Sequence, residues 1–285
     1  MNFNEEYKRK IENTDKYIET YFDGLDGVEK ELIEAMKYSV LNGGKRLRSI
    51  LCTEICAENG GDPADALPYA AAIEFIHAYS LVHDDLPCMD NADMRRGMPS
   101  CHKKFGQAQA VLTGDGLLNL AFELMSARCI DGGQKEVRAM NTVAHCSGVF
   151  GMVGGQAIDL KLPLSSHITE EELTRLIERK TMALIRASII SGALIADCGK
   201  EKIARLEEYA YHLGLAFQIR DDFEDEAEDA ADKNNCPNFI NVLGRDEAAN
   251  RLKYHADSAR KIIEKYGEDS FLCRFHDYLF GDYTA

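Results

Sequence analysis

The chain has 285 residues, 45% apolar content and 8% aromatics, enough to fill a sizeable core in one large domain or two small ones, which excludes an intrinsically disordered protein. A formal net charge of −15 disfavours nucleic acid and anionic membrane as partners. Nine scattered cysteines without a C-x-x-C pair read as reduced thiols of a cytoplasmic protein, not as a disulfide frame or a zinc site. No run approaches the roughly 18 to 20 apolar residues of a membrane span, so no integral membrane association is expected, and the opening Met1-Asn2-Phe3-Asn4-Glu5-Glu6 lacks the parts of a secretion signal.

Apolar residues recur at helical spacing along almost the whole chain, and no run alternates in the manner of a strand for more than a few residues. The expectation is an all-α fold, a single domain over residues 1–285 with roughly ten helices of ordinary length. In chain order, Gly43-Gly44 precedes Lys45 and Arg48, which places backbone N–H groups, a helix start and two cations at i and i+3 together as an anion site. Asp62-Pro63 predicts an N-cap followed by proline at the first helical position. The helix that follows runs Ile73, Ile76, His77, Ser80, Asp84 along one face with Asp85 beside it, so a stripe that starts as core ends in acid. Pro87 is expected to stop this helix at about Leu86, leaving Asp84 and Asp85 in the last turn, where the macrodipole disfavours negative charge. Asp90 and Asp93 follow on a loop. The pair Arg95-Arg96, taken alone, reads as ordinary surface.

Farther on, Thr169-Glu170-Glu171-Glu172 fits a capping box that opens a helix through Ile195. Its stripe Leu173, Leu176, Ile177, Lys180, Thr181, Leu184, Ile185 carries a lysine and a threonine in its middle. The last informative helix puts Tyr211, Gly214, Leu215, Gln218, Asp222 and Asp225 on one face, and Asp221, Asp222 and Asp225 fall within about 100° of arc. Acid runs are usually solvated faces, and the second cluster taken singly is as readily one. An EF-hand fails for want of a glycine at the sixth position from Asp221, and a metal phosphohydrolase built on His83-Asp84 needs further paired histidines that the chain does not offer. Like charges at the wrong helix end, an inward lysine and two basic anchors together mark function. Mg²⁺ takes few carboxylates and completes its shell with water and phosphate oxygens, so two aspartate clusters facing each other describe a cage for a diphosphate with Mg²⁺. A second anion site implies two phosphorylated substrates, or one substrate with two phosphorylated ends.

These stretches resemble the head-to-tail, or trans, polyprenyl diphosphate synthases, most closely their bacterial farnesyl diphosphate synthase branch. The resemblance runs in order over about residues 28 to 245. It includes Asn42-Gly43-Gly44-Lys45-Arg46-Leu47-Arg48, His77 through Asp90, Arg95-Arg96-Gly97, Cys101-His102-Lys103, Gly114-Asp115-Gly116, Gly154-Gly155-Gln156, Lys180-Thr181 and Phe217-Gln218-Ile219-Arg220-Asp221-Asp222. It implies antiparallel helices around a central cavity, commonly a homodimer, and a transferase that joins an allylic diphosphate to isopentenyl diphosphate to give a C15 product, with C20 as the runner-up. Asp84, Asp85 and Asp90 then resemble the first metal motif and Asp221, Asp222 and Asp225 the second, for about three Mg²⁺ with the substrate diphosphate. Arg95, Lys180, Thr181 and Gln218 resemble allylic-substrate contacts, and Lys45, Arg48, His77 and Arg96 the isopentenyl diphosphate site. Tyr79, five positions before Asp84, and Ser80, four before, resemble residues that limit chain length.

The chain departs from the family pattern in three places: Met182 follows Lys180-Thr181 where glycine is usual, Ser49 replaces a proline, and the stretch after Asp225 is short, with Lys233 its only basic residue and Cys236 where a lysine is usual. These departures define one rival, a catalytically weak subunit that binds prenyl diphosphates or a partner synthase. A terpene cyclase is a further rival, disfavoured because Lys45, Arg48 and His77 supply a co-substrate site that a cyclase does not need.

Overall fold

The computed structural model describes residues 2–162, 168–228 and 237–284. Lys233 and Cys236 lie outside the described residues. The chain divides into two compact units, Met1–Met140 with Leu194–Ala196 and Asn141–Ala193 with Asp197–Ala285.

In the first unit, α1 (Phe3–Asp23) opens on a capping box in which Asn2 accepts the Glu5 N–H at 2.9 Å and the Glu5 carboxylate accepts the Asn2 N–H. Helices α2 (Lys30–Leu41) and α3 (Leu47–Glu58) follow, then α4 (Pro63–Asp84), with Asp62 accepting the Ala64 N–H at 2.9 Å ahead of Pro63 as expected. The buried face of α4 includes Tyr69, Ile73, Phe75 and Ile76, all fully shielded from solvent. It ends at Asp84, two residues before the expected stop. Pro87 disfavours helical backbone at the residue before it, and Leu86 N–H bonds the His83 carbonyl in a tightened turn.

The all-α expectation holds apart from one small hairpin, β1 (Met94–Arg95) antiparallel to β2 (Met98–Pro99). Its two central residues, Arg96 and Gly97, have φ of 52° and 75°, the left-handed pair that a two-residue hairpin turn requires. The unit continues through α5 (Cys101–Phe105) and α6 (Gln107–Asp131) into α7 (Gln134–Ser147), inside which the division falls.

The second unit contains α8 (Met152–Asp159), α9 (Glu170–Ile177), α10 (Ala183–Ile195), α11 (Lys200–Glu228), α12 (Phe239–Leu243), α13 (Arg245–Ile263) and α14 (Phe271–Thr284). The capping box at Thr169 and Glu172 forms as expected, and the helical run does extend through Ile195. It is not one α-helix. Residues Glu178–Met182 form a π turn between α9 and α10. The wider turn breaks the 3.6-residue spacing, so Leu173, Leu176 and Ile177 are buried before it, Met182 through Ile185 are all buried after it, and Lys180 and Thr181 are half-buried within it. More helices result than the ten expected, because short pieces such as α5, α8 and α12 cap longer ones. No described helix is long and apolar enough to cross a membrane.

Candidate active site

The first acid run is folded back on itself. The Asp90 N–H donates to the Asp84 carbonyl at 2.8 Å, which returns the loop to the end of α4. Asp85 is buried, and its carboxylate accepts from the Arg95 guanidinium at 3.1 Å. The charges of Asp84 and Asp90 also act on that arginine, and the Asp85 hydrogen bond, with these charges, raises its proton affinity further. The β1–β2 hairpin thus delivers one cation to three carboxylates that a helix C-terminus would repel. Tyr79, one turn earlier and buried, packs edge-on against His83 with centroids 5.8 Å apart. Burial, reinforced by the Asp84 charge, pushes its phenol up to about 12. Ser80 spends its hydroxyl on the His77 carbonyl at 2.9 Å.

The residues expected to form an anion site around Gly43-Gly44 lie in the same unit. Arg96 donates to the Gly43 carbonyl at 2.8 Å, and its guanidinium lies 3.1 Å from where a Gly44 Cβ would stand, so a side chain there would displace it. Burial holds His77 well below the usual histidine range, with Arg48, Arg96, Arg46 and Arg95 adding their charges in that order. The surrounding positive charge favours an anion, and the neutral imidazole keeps a hydrogen-bonding group of its own. Lys45 is exposed at the rim.

Beneath it lies a network that the sequence reading did not single out. Arg46, buried and held in the left-handed region at φ 46°, donates to Asp15 at 2.7 Å, Glu74 at 3.2 Å and the Val40 carbonyl at 2.8 Å. The second Glu74 oxygen accepts the Ser49 N–H at 3.1 Å, at the start of α3. Glu74 therefore fixes both the strained residue and the helix start that carry Lys45 and Arg48. A Glu74→Gln variant is expected to lose about 1.5 to 3 kcal/mol of stability, the worth of hydrogen bonds to a charged group, measured by urea unfolding. An unchanged midpoint contradicts this role.

In the second unit, Lys180 pairs with Asp159 at the end of α8. The π turn itself rests on α8 through glycine, because a Cβ at Gly155 would stand 2.4 Å from the Lys180 nitrogen and 2.7 Å from its Cα. Gly155 is thus a backbone-to-backbone seat for Arg179 and Lys180 in the π turn, whereas a Cβ at Gly154 would meet the Val149 carbonyl. On α11, Gln218 donates to Asp222 at 2.9 Å, and the other Asp222 oxygen accepts the Phe239 N–H at 2.8 Å, tying α11 to α12. Burial pushes the Asp222 carboxyl up to about 6 against those hydrogen bonds, and crowding by Asp221 and Asp225 adds to the rise. Asp221 receives Arg220 at 2.8 Å, a buried arginine that also stacks on Phe217 at 4.6 Å. Asp225 is exposed. Arg46 and Arg220 entered the sequence reading only inside quoted motifs, without a role, and Asp159 and Glu74 escaped it; of these last two, Glu74 carried a visible signal, as a lone acid in the apolar run Ala70-Ala71-Ala72-Ile73-Glu74-Phe75-Ile76.

Each unit therefore presents aspartates beside cations. Among the described residues, no group of three or more His, Cys, Asp or Glu side chains that could hold a metal ion converges on one point.

Comparison with known proteins identifies the family. The polyprenyl synthetase family model matches residues 29–236, a stretch that contains every motif quoted for the resemblance. The chain is 42% identical to the farnesyl diphosphate synthase of Geobacillus stearothermophilus over 281 residues, covering 94% of this chain and 92% of the relative. It is 38% identical to the farnesyl diphosphate synthase of Bacillus subtilis over 270 residues, covering 90% and 88%. Among solved structures, an FPP/GFPP synthase from Zymomonas mobilis superposes with a TM-score of 0.88 at 36% identity over 97% of this chain and 98% of that one. The chain belongs to the polyprenyl synthetase family.

Proposed function

We propose that this chain is a Mg²⁺-dependent prenyl transferase that condenses dimethylallyl or geranyl diphosphate with isopentenyl diphosphate, releases diphosphate and delivers the C15 product, farnesyl diphosphate. The observation that carries this reading is that the chain holds acid runs beside cations (Asp84, Asp85 and Asp90 with Arg95; Asp221 with Arg220) and, separately, a histidine on which the charges of four arginines act. The aspartates suit Mg²⁺, since they offer hard oxygens and, among the described residues, do not converge to complete a shell, which leaves positions for diphosphate oxygens. When bound, Mg²⁺ supplies neutralisation of the departing diphosphate.

The chain's own groups do the rest. Arg95, once released from Asp85, is the first unit's cation for allylic diphosphate, and Lys180, once released from Asp159, is the second unit's. Lys45, Arg48 and Arg96 hold isopentenyl diphosphate, with His77 neutral so that it orients the anion by a hydrogen bond. With its amide N–H on Asp222, Gln218 keeps a carbonyl oxygen for the developing allylic cation, and the Thr181 hydroxyl does the same. The isopentenyl double bond attacks that cation, and the proton lost afterwards goes to the released diphosphate. Diphosphate release measured from the two substrates tests the reading: it is expected with Mg²⁺ and is expected to stop in EDTA, and release that continues in EDTA contradicts it.

Tyr79 sets the product length in this proposal, as a buried ring one turn below Asp84 in the direction a growing chain extends along α4. Tyr79→Ala is expected to shift products from C15 toward C20 and longer, read by chromatography of the dephosphorylated prenols, and an unchanged distribution refutes the floor role. A homodimer in the cytoplasm completes the proposal, supported by exposed Val111 and Leu112 on α6 and by eight free thiols among the described cysteines.

A further inference from the structure

The second unit holds a histidine pair that prenyl transfer does not use. His212 of α11 and His255 of α13 bring their Nδ1 atoms to 2.9 Å, with ring centroids 5.0 Å apart and planes inclined by 40°. Tyr211 packs edge-on to both rings at 5.4 and 5.9 Å, and Tyr254 does so at 5.9 and 5.0 Å. Both histidines are half-buried while the tyrosines are 39% and 59% exposed, so the pair lies at a solvent-reachable edge.

Two nitrogens at that separation need something between them. One neutral ring can donate N–H to the other, but a metal ion fits the same spacing. Imidazole nitrogens bound at about 2.0 to 2.1 Å stand about 2.9 Å apart across a right angle and about 3.3 Å apart across a tetrahedral one. The observed spacing matches the right angle. Tetragonal Ni²⁺ and Cu²⁺ take cis nitrogens in that way, and among the described residues no cysteine joins the cluster to favour a thiolate metal.

The geometry points to a site for a divalent tetragonal cation, of the Ni²⁺ or Cu²⁺ class, bound by His212 and His255 and fastening α11 to α13. The remaining positions belong to water, since no third ligating side chain converges there among the described residues. The facing charges oppose each other. Glu208, one turn before His212, favours a cation, and Arg251, one turn before His255, disfavours it but is itself held by Glu170 at 3.1 Å and Glu247 at 3.4 Å. Burial keeps both imidazoles in the neutral form that a metal needs, with His255 pushed down to about 4. On binding, the proton between the rings moves from Nδ1 to Nε2 of the same ring, so both stay neutral and no net charge is lost.

The test uses the full chain freed of metal with EDTA and dialysed. Ni²⁺ titrated by calorimetry is expected to bind wild type and to raise its thermal midpoint, with affinity at least ~10-fold weaker in both His212→Asn and His255→Asn. Unchanged affinity in either variant overturns the site. A second measurement needs no variant: Ni²⁺ is expected to protect His212 and His255 of the wild type from modification by diethyl pyrocarbonate. Equal modification with and without Ni²⁺ means an N–H···N bond only, and overturns the proposal. Neither result depends on prenyl transfer.

Discussion

Asp84→Ala and Asp221→Ala are each expected to reduce condensation by at least ~100-fold while the fold survives. The loss of one charge contact that stabilises the departing diphosphate costs roughly 3 kcal/mol or more of barrier. The fold survives because both carboxylates sit in like-charge clusters. Asp84 ends α4, where the macrodipole opposes it and where Asp85 and Asp90 add repulsion, and Asp221 crowds Asp222. Deleting either relieves repulsion in the metal-free protein, so thermal unfolding is expected to move little. For Asp221 the loss of the Arg220 contact offsets part of that relief, and the buried guanidinium keeps its stack on Phe217 and its bond to the Leu279 carbonyl. A variant that stays folded and works near the wild-type rate contradicts the assignment of that aspartate.

Gly155→Ala is expected to lower activity by about 100-fold, comparable with losing a charged group, although the residue touches no substrate in the proposed mechanism. The added methyl would stand 2.4 Å from the Lys180 nitrogen and 2.8 Å from the Arg179 carbonyl carbon, and both obstacles are backbone. Neither can turn aside as a side chain can. Either α8 shifts and carries Asp159 away from Lys180, or the π turn reverts toward α geometry and rotates Lys180 and Thr181 off their face. A displacement of about 1 Å at a positioning residue is enough for a loss of this size. The accompanying overpacking is expected to cost about 1 to 3 kcal/mol, so the variant should remain folded for assay at moderate temperature. Activity within a few-fold of wild type contradicts the seat described for the π turn.

How far the sequence reveals this arrangement depends on whether its cause is local. The N-caps at Asp62 and Thr169 were legible because capping is decided within three residues, and both form as expected. The acid runs were legible because aspartates interrupt apolar stripes that periodicity alone defines. The π turn was not legible. Helical spacing assumes 3.6 residues per turn, and the element that seats the wider turn, Gly155, lies more than twenty positions earlier in the chain. Asp159 was hidden for the same reason, as a single acid on a short helix whose meaning comes from Lys180. The hairpin that carries Arg95 and Arg96 has strands of two residues each, too short to alternate, so the pair taken alone read as surface and only the resemblance gave the two arginines roles. Glu74 could have been found, since a carboxylate in an otherwise apolar helix requires a buried partner, and Arg46 is that partner.

The most direct measurement incubates the purified chain with Mg²⁺, isopentenyl diphosphate and each of dimethylallyl, geranyl and farnesyl diphosphate, and sizes the products. Dimethylallyl and geranyl diphosphate are both expected to be carried to C15, with farnesyl diphosphate extended little. No product from any of the three would contradict the transferase reading, and efficient extension of farnesyl diphosphate to C20 would contradict the C15 limit set by Tyr79.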